Sequence, residues 1–134
     1  MTTPDFDGFT LACLEAALWS SIGAAGEPLD REHDIADIDQ GVLERLAADC
    51  KRFQASPAWQ AVLASEDDPR TARRQGYGCV EESAGRDFWL TRCGHGAGFW
   101  DGDWKEPHAS ALDRLSRSFG NVDLYIGDDG KIYC

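Results

Sequence analysis

The sequence predicts an α+β domain: about three N-terminal helices packed on a small antiparallel sheet of two hairpins, with one helix between the hairpins. Three observations predict it. Apolar residues recur at helical spacing between Phe9 and Leu63. Two later stretches, around Phe88 and around Leu124, alternate apolar and polar residues at the strand period. A length of 134 residues suits one core. The expected single domain, 1–134, divides into an acidic helical half, about 1–69, and a hairpin-and-helix half, about 86–134.

The first helix is expected in "DGFTLACLEAALWSS", with Phe9, Cys13, Ala16 and Ala17 on one stripe, flanked by Leu14 and Leu18. Asp7 or Thr10 can cap it, and Gly23 and Gly26 follow as stop signals. "EPLDREHDIADIDQ" is a polar connector whose apolar anchors are Leu29, Ile35 and Ile38. Its carboxylates must be solvated, so it must run over the surface. "DQGVLERLAADCKRFQ" is a second helix, capped by Asp39, with Val42, Leu43, Leu46, Cys50 and Phe53 inward. "SPAWQAVLAS" is a third, with Ser56 at N-cap, Pro57 at N1, and Trp59, Val62 and Leu63 inward.

Residues 66–85 are expected as a loop that opens acidic and turns basic at Arg70, Arg73 and Arg74. "RDFWLTR" then suits a strand, with Phe88 and Leu90 on one face and Trp89 and Thr91 on the other. "CGHGAG" is a glycine-rich turn and "FWD" the returning strand. "PHASALDRLSRSFG" is the last helix, with Leu112, Leu115 and Phe119 inward, and "NVDLYIGDDGKIYC" a second hairpin with Val122, Leu124 and Ile126 on one face.

Bulk properties narrow the function. Apolar residues make up 43% of the chain, so it can fold around a core. No apolar run is long enough to span a membrane, and the acidic N-terminus lacks the basic n-region of a signal peptide. A cytoplasmic protein is expected, with its five cysteines as free thiols and Cys13 and Cys50 as small buried hydrophobes. The net charge of −11 is uneven: fourteen acids and four bases in residues 1–69, ten and nine in 70–134. Direct nucleic-acid binding is disfavoured, because phosphate contacts need clustered Lys and Arg. The charge serves solubility, and it also suits a basic partner.

Four kinds of site chemistry are weak. Cys93 and His95, with Cys79 and Cys134, could in principle hold zinc, but only one close pair exists and zinc sites usually show two. A Cys93–His95 nucleophile would need an orienting group such as Asp101 or Asp103, and no oxyanion motif is visible. "GHGAG" does not open a helix, as a phosphate loop must. "DGDWKE" and "GDDGKI" lack the calcium-loop register. No metal or cofactor is expected, and His33 and His108 read as isolated and exposed. Phe88, Trp89, Phe99 and Trp100 read as packing partners in the sheet.

"DFWLTRCGHGAGFWDGDW", followed by "FGNVDLYIGDDGKIYC", resembles a family of small acidic proteins encoded by bacteriophages and other mobile elements. "ALWSS", "GEPLDREHDIADID" and "ADCKRFQ" resemble the same proteins, so the likeness spans most of the chain outside about 66–85. It implies no catalytic residues, and it implies Asn more often than Cys at position 93. Small acidic phage proteins are similar to inhibitors of host defence, the anti-restriction and anti-CRISPR proteins, several of which mimic DNA with carboxylates. The resemblance thus implies a non-enzymatic inhibitor in a bacterial host. Its partner would be a host nucleic-acid-binding complex, a CRISPR effector or restriction enzyme. The acids expected to meet that partner are Glu27, Asp30, Glu32, Asp34, Asp37, Asp39, Glu66, Asp67 and Asp68. Two other functions remain open: a Cys/His metal protein or enzyme at the "CGHG" turn, and an accessory module that binds another phage protein.

Overall fold

The computed structural model describes residues 6–23, 26–76 and 78–134. Five helices dominate it: α1 (Gly8–Ser20), α2 (Gln40–Gln54), α3 (Pro57–Leu63), α4 (Val80–Arg92) and α5 (His108–Ser118). One two-stranded antiparallel sheet, β1 (Tyr125–Ile126) and β2 (Ile132–Tyr133), closes the chain. The class is α+β, as expected, but helices outweigh the sheet.

The first three helices form where local signals place them. Asp7 accepts the Thr10 N–H (2.8 Å) at the start of α1. Asp39 accepts from Gly41 and Val42 at the start of α2, and Ser56 accepts from Trp59 with Pro57 at N1 of α3. Each cap satisfies a backbone donor that the helix itself leaves unpaired. The expected inward residues of α1 and α2 are buried. Leu63 is not: it ends α3 and is 49% exposed.

The first hairpin is the main correction. "RDFWLTR" is not a strand but the C-terminal half of α4, and the supposed loop from 80 to 85 is its N-terminal half. "FWD" is not a returning strand but part of a turn. The period misleads because α4 lies at the centre of the molecule. Phe88, Trp89, Leu90, Thr91 and Arg92 are all buried, so no polar stripe marks a helical face in this half of α4. The end signals do read as helix: Glu81 and Glu82 occupy the first turn and Arg92 the last, matching the helix dipole.

α4 meets α1 at a crossing that only glycine allows. A Cβ on Gly85 would lie 2.1 Å from the Phe9 carbonyl oxygen and 3.2 Å from the Cys13 nitrogen. Below this crossing the aromatic rings assemble. Phe53 lies 5.1 Å from Phe9, 4.7 Å from Phe88 and 5.9 Å from Phe99, centroid to centroid. Such offset and tilted pairs stabilise beyond their buried area. The turn after α4 is held by Thr91, whose Oγ1 accepts the Phe99 N–H (3.0 Å). Gly98, at φ +151°, has no room for a Cβ beside that hydroxyl.

The second hairpin exists, in shortened form. Tyr125 pairs with Tyr133 and Ile126 with Ile132 around the "GDDG" turn. Leu124 is buried, but Ile126 is 38% exposed, so the expected common face does not extend along the segment. Ile132 also bridges in parallel to Ile38, tying the hairpin to the connector.

Gly85→Ala should cost about 3 kcal/mol of unfolding free energy, the upper part of the overpacking range, because backbone rather than a flexible side chain must move. Urea titration measures it. Gly96→Ala, whose added Cβ meets nothing within 4 Å, is the control. Equal stability of the two variants would mean that the crossing tolerates a methyl group.

Candidate functional site

The acidic connector is a pinned surface rather than a free loop. At its start Gly23 donates to the Glu27 carbonyl (2.8 Å) and Leu29 to Ser21 (3.0 Å). Leu29 is then buried at the head of a 3-10 turn, Leu29–Arg31. A second 3-10 turn, Ile35–Asp37, carries a reciprocal capping box. Asp34 accepts the Ala36 N–H (2.9 Å) and Asp37 accepts the Asp34 N–H (3.0 Å). Ile38 is buried, and the Asp39 N–H donates to the Ile132 carbonyl (2.9 Å). Leu29 and Ile38 thus act as the expected anchors, while Ile35 is only half-buried.

Local structure divides the nine expected acids. Asp30 and Glu32 are exposed, and no backbone cap engages them. Glu27 is half-buried. Asp34, Asp37 and Asp39 hold the connector and the start of α2 through their caps. His33, expected to be isolated, lies 3.4 Å from Asp37. Glu66 and Asp67 are exposed after α3. Asp68 instead forms an ion pair with the buried Arg70 (2.9 Å), and that hydrogen bonding holds its carboxyl below the usual range.

A groove of about 550 Å³ runs between α1 and the connector. Glu15, Asp30 and Asp34 line it together with Leu18, Trp19 and Ile35. None of Glu66, Asp67 and Asp68 lines it. Glu15 and Trp19 are not among the residues expected at this surface. Their signal was present: they are i,i+4 neighbours, and both point outward from an otherwise apolar helix.

The cysteine–histidine turn is arranged differently from a nucleophile or a metal centre. Cys93 and His95 line a cleft of about 210 Å³ with Ser20, Ser21 and Asn121. The half-buried Cys93 thiol donates toward the Val122 carbonyl (3.5 Å), and burial raises its pKa, which disfavours the reactive thiolate. Cys79 and Cys134 are both exposed. Among the described residues no three His, Cys, Asp or Glu side chains gather as a metal set. Cys13 and Cys50 are buried as expected. The hydrogen bond between them, then burial, lifts the Cys13 thiol well above its ordinary range.

A partly buried polar network joins the first part of the expected 66–85 loop to the turn after α4. Trp104 Nε1 donates to Asp87 (2.6 Å), and Arg74 reaches Asp103 (3.2 Å). Arg73 also pairs with Asp103, and the Lys105 N–H donates to the Pro69 carbonyl (2.8 Å). Burial pushes the Asp87 carboxyl from 3.8 up to about 6, against the pull of Trp104 and Arg74. Perturbed carboxyls often mark active sites. Asp87 is 1% exposed, however, and sits against an indole, so its role here is to bind the turn to α4.

No protein-family model, curated protein or solved structure matches the chain. No helix among the described residues is long and apolar enough to cross a membrane.

Asp87 makes stability pH-dependent with a definite sign. Between about pH 4 and pH 6 the folded chain holds a proton that the unfolded chain has released, so this contribution falls as pH rises. Asp87→Asn removes it and keeps an oxygen for Trp104. The stability of the variant relative to the parent should therefore grow across that window, by up to about 3 kcal/mol, from the size of the shift. Urea titrations at successive pH values test this. A constant difference would place the titration elsewhere.

Proposed function

We propose that this chain is a non-enzymatic inhibitor of host defence, encoded by a phage or related mobile element. It occupies the basic groove of a host nucleic-acid-handling complex, a CRISPR effector or restriction enzyme, and presents carboxylates where phosphates would lie. The observation that carries this reading is the acidic connector. It is rich in carboxylates, yet it is anchored at Leu29 and Ile38 and capped internally. A purely solubilising acidic segment needs no such anchoring. The resemblance of the aromatic stretch to small acidic phage proteins supports the same reading. So does the charge of −11, which disfavours contact with nucleic acid itself. Opposite charge across such an interface raises association rates and selects against acidic competitors.

Asp30 and Glu32 are the residues to reverse, because Asp34, Asp37 and Asp39 also hold the fold. Tagged wild-type protein should capture a nucleic-acid-binding complex from bacterial lysate at about 0.05 M salt and release it near 1 M, where the Debye length shrinks to about 3 Å. It should also displace DNA from the purified complex. Asp30→Lys with Glu32→Lys should weaken that displacement at least about tenfold, the effect of about 1.4 kcal/mol. Unchanged displacement would reduce the connector to a solvated surface.

A further inference from the structure

The groove between α1 and the connector contains more than phosphate mimicry requires. Carboxylates that stand in for phosphates need only water around them. Here Glu15, Asp30 and Asp34 stand around an apolar floor of Leu18, Ile35 and Ala36. The Trp19 indole, 41% exposed, lies in the same groove. The three carboxylates have no ion-pair partner among the described residues. The one basic side chain on the lining, His33, is beside Asp37. An exposed indole, unpaired carboxylates and an aliphatic wall together complement a cation on an apolar stem. A guanidinium stacks on an indole face and forks onto carboxylate oxygens, while its methylenes cover apolar surface. Lysine offers neither the plane nor the fork. The groove, about 550 Å³ and open to solvent, suits a side chain laid along a surface rather than an enclosed ligand.

We propose that this groove receives an arginine-bearing segment of the protein partner. One guanidinium seats over Trp19 among Glu15, Asp30 and Asp34, and an apolar neighbour from the same segment lies against Leu18 and Ile35. The inference rests on the reading above, in which this face meets a basic partner. It adds that arginine and an apolar residue are recognised together, rather than positive potential alone.

The test uses the full chain and synthetic peptides of equal length and charge. One peptide alternates Arg and Leu at helical spacing, one replaces every Leu by Ser, and one replaces every Arg by Lys. Calorimetric titration at about 0.15 M salt should give the Arg/Leu peptide an affinity about tenfold above the Arg/Ser peptide, with the Lys/Leu peptide several-fold weaker than the Arg/Leu one. Trp19→Ser should weaken the Arg/Leu and Arg/Ser peptides alike and erase the advantage of Arg/Leu over Lys/Leu, because the guanidinium loses its indole. Leu63→Ser, which removes an exposed apolar side chain on α3, should preserve that advantage. Asp30→Lys should weaken all three peptides. Equal affinities for the Arg/Leu and Arg/Ser peptides, or an Arg-over-Lys advantage that survives Trp19→Ser, would overturn the proposal. So would sedimentation showing that a second copy of the chain covers Trp19. If Asp30→Lys still weakens every peptide in those cases, the acidic-face reading stands and only the groove's selectivity fails. If no peptide binds at all, both fall.

Discussion

The close passage of α4 over α1 at Gly85 is the constraint on which the rest of the molecule depends. With no side chain at residue 85, the backbone of α4 reaches the Phe9 carbonyl directly. That approach sets Phe88 5.9 Å from Phe9 and lets Phe53, on α2, pack against both rings. It also places Thr91 where its hydroxyl can hold the turn that inserts Phe99. Finally it carries Arg92 to the far side of the core. There Arg92 donates to the Phe119 and Gly120 carbonyls at the end of α5 and to Asp49 on α2. A wider crossing would loosen all of these contacts together, because interiors are packed without slack.

Charge is distributed around this core in a way that matters for the surface. Several bases of the C-terminal half are committed internally. Arg70 serves Asp68 and the Gly78 carbonyl, Arg74 serves Asp103, and Arg92 serves Asp49 and a helix end. Burial makes each pair costly to break from one side. The nearly neutral count of residues 70–134 therefore overstates how much positive charge faces solvent. No base from that half lines the groove beside the connector. The groove is lined by local carboxylates, with His33 as the basic side chain on its lining.

What the sequence made legible follows the same physics. α1, α2 and α3 are amphipathic or sharply capped, and Asp7, Asp39 and Ser56 cap them as their residue types suggest. α5 and the "GDDG" turn were legible for similar reasons. α4 was not, because residues 87–92 of its C-terminal half are all buried and show no polar stripe to set their period. Its run of Phe, Trp, Leu and Thr matches strand preference as well. The partners of Arg70 and Arg74 were equally hidden, since their carboxylates lie on segments that meet only in the folded chain. Of the candidate surface, the acids were visible as a cluster, but not the division of labour within it. Capping at Asp34, Asp37 and Asp39 depends on backbone turns that composition does not reveal.

That division of labour bears on how such a surface would bind. A disordered acidic segment must be ordered when it meets a partner, and the ordering subtracts from affinity. Here the ordering is already present. The capping box fixes the second 3-10 turn, Leu29 and Ile38 fix the ends, and the bridge from Ile38 to Ile132 ties the connector to the hairpin. Asp30 and Glu32 are therefore held on a preformed turn next to α1, with Trp19 and Glu15 at fixed positions across the groove. Asp30 and Glu32 face outward without capping the backbone, whereas Asp34 both caps its turn and lines the groove. The outward pair can vary in sequence without unfolding the connector, which leaves the surface free to match a partner while Gly85 and the aromatic core stay constant.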